Sequence, residues 1–366
     1  MFNRKRLTLA RERRGLAGFE LAEMSGLTPV HLSRLESGQA NNPDEATLAK
    51  LASALQYPVE FFGKQGDVEE LNVDTVSFRS LKKMSAKERN AALWAGTLGL
   101  EVYDWIDAKY DLPPPDLPDF NGQNHPAVAA RLLRQHWGLG DRPIGNVLKL
   151  LESRGIRILS LEEKTKNVDA YSFWRNDKPF IFLNTFKTPE HSVFDCGHEV
   201  GHLTCHRHAG PRSSKTAEIE ANLFASAFLM PEDDVKACFA YRPITIKDVL
   251  KNKIRWKVSA MAMVVRLHQI SFLSDWQFRS FCIELGRLGY RTSEKVGIER
   301  EKSVLWYKIL TDLWSNKITK ADIGNSLHIP HDEVERLIFR LAGETLEPTT
   351  QRAQLKVVSD NSEAQE

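Results

Sequence analysis

The chain has 366 residues, room for two or three domains at ~100–200 residues each. Apolar residues make up 42% and charged residues 27%, a balance that excludes a disordered chain. Fifty Lys and Arg against 48 Asp and Glu leave a net charge of +2, so any nucleic-acid footprint has to be local.

No run approaches the ~18–20 consecutive apolar residues of a membrane helix. The basic start, with Arg4, Lys5, Arg6, Arg11, Arg13 and Arg14, is followed by no signal-peptide core. The expectation is a cytoplasmic protein without a membrane. Cys196, Cys205, Cys238 and Cys282 have no regular spacing and do not form a disulfide framework.

From Arg4 to about Phe62, apolar residues recur at helical spacing and Gly15, Gly26, Gly38 and Pro43 punctuate them. Leu21–Ser25 predicts a helix ending in a turn at Gly26. Thr28 can cap a second helix, with Pro29 suited to its first position. Two short helices across a tight turn are a helix-turn-helix, whose second helix can lie in a major groove. The segment at 4–62 closely resembles the Cro/repressor-like helix-turn-helix family, down to Arg34-Leu35-Glu36-Ser37-Gly38, Pro43, Leu48, Leu51 and Ala52. The resemblance implies Thr28, Pro29, Val30, His31, Ser33 and Arg34 as DNA-binding positions, and double-stranded DNA as a partner. Among them only Arg34 can fork onto guanine, and no Asn or Gln is present for adenine; pairing of Arg34 with Glu36 or a phosphate stays open. The basic start is expected to add phosphate affinity, with Arg14 as one such contact. A helical docking module that does not bind DNA is the alternative.

Residues 63–74 are polar and predict a linker. Ser85 and Glu88 form a capping box ahead of an apolar stripe through Leu93, Trp94, Leu98, Val102, Trp105 and Ile106. Leu112-Pro113-Pro114-Pro115-Asp116-Leu117-Pro118 cannot continue that helix and predicts extended chain along a surface. Helices are expected at Pro126–Trp137 and Ile144–Ser153. Short strands are expected at Gly155–Leu159, Ala170–Trp174 and Pro179–Leu183, then helices at Thr188–His206 and Ala217–Leu229. The mixture argues for an α+β unit with a small sheet.

Inside the first of those two helices lies His198-Glu199-Val200-Gly201-His202. Four-residue separation puts both imidazoles on one face, ready to share an ion, while Glu199 projects beside it as a base toward water. Gly201 lets another chain approach closely. A third ligand is needed. His208 lies six residues past His202, but the corresponding metzincin pattern needs glycine where Cys205 stands. Glu218 shares a face with Asn222 and Ala225 and is preferred, with Glu220 as the fallback. His206 extends the ligand face and reads as a hydrogen-bond partner of a ligand, direct catalysis being the alternative.

Together with Ala221, Asn222, Phe224, Ala225 and Phe228-Leu229-Met230-Pro231, these residues resemble the ImmA/IrrE family of zinc metallopeptidases. With the amino-terminal module, the chain is similar to the long regulators of that family. Ala129–Leu139, Leu150–Ile158, Ser172-Phe173-Trp174 and Trp256-Lys257-Val258-Ser259 extend the likeness. It implies zinc held by His198, His202 and Glu218, Glu199 as catalytic general base, and cleavage of a partner repressor. Asp195 and Gly197 depart from the Thr and Ala expected near them, which sets peptidase activity on weaker ground than metal binding.

Near the carboxyl end, Ile318–Pro330 and Asp332–Phe339 outline a second helix-turn-helix, but Asp332, Glu333 and Glu335 would repel phosphates, so a packing role is expected. Trp256, Trp276, Trp306 and Trp314 are expected as core anchors.

The reading is a mainly α multidomain protein: an N-terminal all-α helix-turn-helix domain (4–63), a linker and helical connector (64–125), a central α+β zincin-like domain with a small sheet (126–274), a helical C-terminal region (275–345) and a flexible tail (346–366). Its expected function is a DNA-binding regulator with a zinc-dependent endopeptidase that cleaves a protein substrate or partner regulator, or itself. The alternative is a non-proteolytic regulator or antitoxin whose metal domain senses a ligand or is structural. A homodimer is the default for helix-turn-helix proteins on two half-sites.

Overall fold

A computed structural model of the protein describes residues 2–40, 42–71, 85–121, 124–161, 170–208, 215–240 and 243–342. The tail at 346–366 and residues 72–74 of the expected linker lie outside the described residues.

The amino-terminal module consists of α1 (Arg4–Arg13), α2 (Gly18–Ser25), α3 (Pro29–Ser37), α4 (Glu45–Leu55) and α5 (Val59–Gly63). Asn3, Thr28 and Asp44 each accept a hydrogen bond from a first-turn N–H, satisfying donors that a helix start leaves open. Gly26 closes α2 with φ +67°, a left-handed conformation that sets the turn into α3. Leu7, Leu21, Leu32, Leu35, Leu51, Phe61 and Phe62 bury the inner faces.

Ser85 and Glu88 make the capping box at the start of α6 (Ala86–Asp107). This helix, read from the sequence as part of a connector, is buried along most of its length. Two of its glycines explain how closely it packs. A Cβ on Gly99 would stand 2.6 Å from Leu159 and 2.8 Å from the Phe182 ring, and one on Gly96 would stand 2.6 Å from the Tyr171 hydroxyl.

Beyond the proline-rich segment come α7 (Pro126–His136), α8 (Val147–Ser153), β1 (Arg157–Leu161), β2 (Ala170–Arg175) and β3 (Lys178–Asn184), then α9 (Pro189–Cys205) and α10 (Lys215–Leu229). The sheet order is β1-β3-β2, with β1 parallel and β2 antiparallel to β3. Alternation along β2 assigns its two faces. Tyr171 donates to the Ala92 carbonyl of α6, while Ser172 and Trp174 donate to the Glu199 and Leu203 carbonyls of α9. Tyr171 stacks on Phe182 and Phe173 on Phe180, so the α6 face is aromatic. The sheet thus lies between α6 and α9, and α10 packs on α9.

The remaining helices are α11 (Glu232–Cys238), α12 (Ile246–Asn252), α13 (Ala260–Gln269), α14 (Asp275–Arg287), α15 (Val304–Ser315), α16 (Lys320–Leu327) and α17 (His331–Ile338). Trp256 and Trp306 are buried as expected; Trp314 is half-buried and Trp276 is 76% exposed on α14, so the latter anchors no core.

The α16–α17 pair has the helix-turn-helix outline, and Glu333 faces inward while Asp332 and Glu335 are half-exposed. Glu333 is fully buried, 2.9 Å from the Arg13 guanidinium and accepting from the Tyr57 hydroxyl. Asp332 takes two hydrogen bonds from Arg14, whose guanidinium also lies over the Tyr57 ring. Arg14, expected as a phosphate contact, thus has its guanidinium paired within the chain.

Candidate metal centre

Thr188 caps α9 and Pro189 fills its first turn. One side of the helix meets the sheet and the other meets α10. Small residues set the second approach: a Cβ on Gly197 would lie 3.4 Å from Ala225, and one on Gly201 would lie 3.1 Å from the Phe224 ring.

That approach brings Glu218, in the first turn of α10, against His198 and His202. The two Nε2 atoms are 3.1 Å apart. Glu218 oxygens lie 3.4 Å from His198 Nε2 and 3.5 Å from His202 Nε2. Ligand atoms at ~2.0–2.2 Å from a tetrahedral ion are roughly 3.3–3.6 Å from one another, so the cluster is sized for zinc. The donor set of two imidazoles and a carboxylate also suits that ion. Burial pushes the Glu218 carboxyl up, but hydrogen bonding to both histidines outweighs it and holds the group at about 2. Burial drives His202 down to about 3, toward the neutral form a metal ligand needs.

Glu199 is buried and its carboxyl is pushed up to about 7 by desolvation, against the pull of His198 and a hydrogen bond from Ser172. That range suits a group that takes and returns a proton. Asp195, flagged as a departure, is buried on the same helix.

His206 closes α9 and its ring contacts His202, Nδ1 to Nδ1 at 3.1 Å, while its Nε2 lies 2.8 Å from Glu220. Glu220, the fallback ligand, is thus placed on His206 and not in the cluster. His208 is exposed, 3.0 Å from Asp119, and away from the three ligands. The part played by Glu220 was missed from the sequence; the signal for it was His206 on the ligand face, a buried imidazole in need of an acceptor.

At the amino-terminal module, Thr28, Pro29, Val30, His31, Ser33 and Arg34 are all exposed, while Leu32 and Leu35 hold α3 to the core. Glu36 pairs with Arg11 at 2.7 Å, which leaves Arg34 on the open face. Among the other cations of α1, Arg6 is buried against Glu101, while Lys5 and Arg4 stay exposed and pair at the surface with Glu70 and the Ser37 carbonyl. Of the basic start, Arg6, Arg11, Arg13 and Arg14 are held by carboxylates of the chain, and Arg4 and Lys5 remain at the surface.

Comparison with known families matches both regions. Residues 151–268 match the family described as the IrrE N-terminal-like domain of peptidase type M78, and residues 7–62 match the helix-turn-helix family. The chain thus joins a helix-turn-helix regulator domain to an ImmA/IrrE-like peptidase domain. Over the helix-turn-helix it is similar to the HTH-type transcriptional repressor RghR of Bacillus subtilis (strain 168), 34% identical across 84 residues. That match covers 23% of this chain and 62% of the repressor.

Proposed function

We propose that this protein is a DNA-binding transcriptional regulator whose second domain is a zinc-dependent endopeptidase, acting on a protein partner such as a repressor or on the chain itself. The observation that carries the reading is the convergence of His198, His202 and Glu218 at tetrahedral spacing with Glu199 buried beside them. His198 Nε2, His202 Nε2 and a Glu218 oxygen would hold the ion and leave one position open. Held there, zinc would supply Lewis acidity toward a peptide carbonyl and toward water. Glu199 takes the proton from the attacking water as the new C–O bond forms, and returns it to the departing amide nitrogen as the C–N bond breaks.

Room for a polypeptide lies next to the cluster. One turn along each ligand face of α9 and α10, Phe194 and Asn222 border a cleft of about 720 Å³, with Ser226 beside them and Met261, Ala262 and Val265 also lining it. The lining mixes apolar side chains such as Phe194, Met261 and Val265 with polar ones such as Asn222, Gln269 and Arg291, which suits an extended chain offering both apolar side chains and backbone hydrogen-bonding groups. The open face of α3 supports docking in a major groove, and a homodimer on two half-sites is the default for helix-turn-helix proteins. None of the described helices is long and apolar enough to cross a membrane, and a role on DNA places the protein in the cytoplasm.

The test is a cleavage assay with zinc and a candidate repressor. Wild type is expected to cut, and a chelator to stop it. Glu199→Gln should keep zinc and lose cleavage by ~10²-fold or more, while His202→Ala should lose both. Full cleavage by Glu199→Gln would remove the general-base role. A zinc-loaded wild type that cuts nothing would leave a non-proteolytic regulator.

A further inference from the structure

Each member of the chain Glu220–His206–His202 has its proton placed by the next. A carboxylate oxygen only accepts, so at 2.8 Å from Glu220 the Nε2 of His206 carries the hydrogen and donates it. The other ring nitrogen, Nδ1, lies 3.1 Å from His202 Nδ1. With an ion on His202 Nε2, the ring hydrogen of His202 sits on Nδ1 and is donated to His206 Nδ1. His202 is left with its lone pair on Nε2, the atom that faces His198 Nε2 and Glu218. Glu220 at one end of the chain and an ion at the other thus favour the same two tautomers, and the second is the one a metal ligand requires.

The other histidine ligand lacks such support. His198 Nδ1 is buried without a hydrogen-bond partner among the described residues. The two ligands on one helix are therefore oriented by different means: His198 by packing alone, and His202 by packing and a directed hydrogen bond. His206 is buried and closes the helix, and Glu220 reaches it from α10, the helix that also brings Glu218. Docking of α10 on α9 delivers both the third ligand and the group that orients the second.

We infer that His206 and Glu220 are positioning residues of the metal centre, acting through His202 to hold its Nε2 lone pair on the ion. The inference rests on the zinc reading above and deepens it. Partners of this kind typically govern metal affinity by 10–100-fold.

The experiment is zinc affinity by chelator competition, measured on the full chain, together with the melting temperature of each metal-free protein. His206→Ala and His206→Leu are expected to weaken zinc binding about 10–100-fold. His206→Asn puts an acceptor near the former Nδ1 position and should return affinity to within a few fold of wild type. Glu220→Ala should weaken binding, and Glu220→Gln, which keeps an accepting oxygen, should weaken it less. The metal-free melting temperatures should stay together across the set. Equal zinc affinity in all variants would overturn the inference while leaving the three-ligand site intact. Loss in His206→Asn as large as in His206→Leu, tracking a drop in metal-free stability, would overturn it in favour of a packing role. A wild type that takes up no zinc would instead overturn the zinc reading itself, and this inference with it.

Discussion

Glu199 and Glu218 are carboxylates on two packed helices, and their surroundings drive them in opposite directions. Glu218 faces two imidazoles and is held at about 2; Glu199 is desolvated and pushed up to about 7. A ligand has to stay ionised and a general base has to trade a proton near neutrality, so the two environments match two different tasks. Among the cations, the same contrast separates Arg34 from Arg14. Arg34 stands on the open face of α3, whereas Arg14 is fixed between Asp332 and Tyr57. In a DNA-binding assay across salt concentrations, Arg34→Ala should weaken binding by ~1–3 kcal/mol if it reads a guanine. Arg14→Ala should leave the salt slope unchanged and lower the melting temperature. A shallower slope for Arg14→Ala would show that it reaches a phosphate.

Among the elements, α9 and α10 decide the site, and much of that pair was legible in the sequence. Four-residue spacing places His198 and His202 on one face wherever the backbone is helical, and Glu218, Asn222 and Ala225 announce a second face. Thr188, Pro189 and the Ser85–Glu88 box fixed helix starts through purely local chemistry. The burial of Arg13 against Glu333 was not legible, because the two are 320 residues apart and no local pattern joins them. Trp276 misled for a related reason: an apolar residue at helical spacing reads as core until the packing of α14 is known. The helix pair itself gives a prediction. Gly201→Val would press branched carbons against Phe224, already 3.1 Å from a bare Cβ. Overpacking of this kind destabilises by ~1–3 kcal/mol, and displacement of α10 should weaken zinc binding as well. Unchanged melting temperature and zinc affinity would mean that the close approach of the helices does not hold Glu218 in place.

Across the molecule, the two functional regions are tied by charge as well as by chain. The Arg13–Glu333 pair and the Arg14–Asp332 pair join the amino-terminal module to α17, and Arg6 joins it to Glu101 of α6. From the far end of α17, Arg340 donates to the Thr185 carbonyl and lies over the Phe186 ring, just ahead of α9. Loss of one partner alone from a buried pair such as Arg13–Glu333 is strongly destabilising, so Arg13→Ala should lower the melting temperature of the chain. The proposed chemistry stands on whether His198, His202 and Glu218 hold an ion between α9 and α10. Elemental analysis of the purified chain and of Glu218→Ala, each after exposure to zinc and removal of the excess, measures this most directly. The account predicts close to one zinc per wild-type chain and a marked loss in Glu218→Ala; a wild-type chain that remains free of metal after zinc is supplied would contradict it.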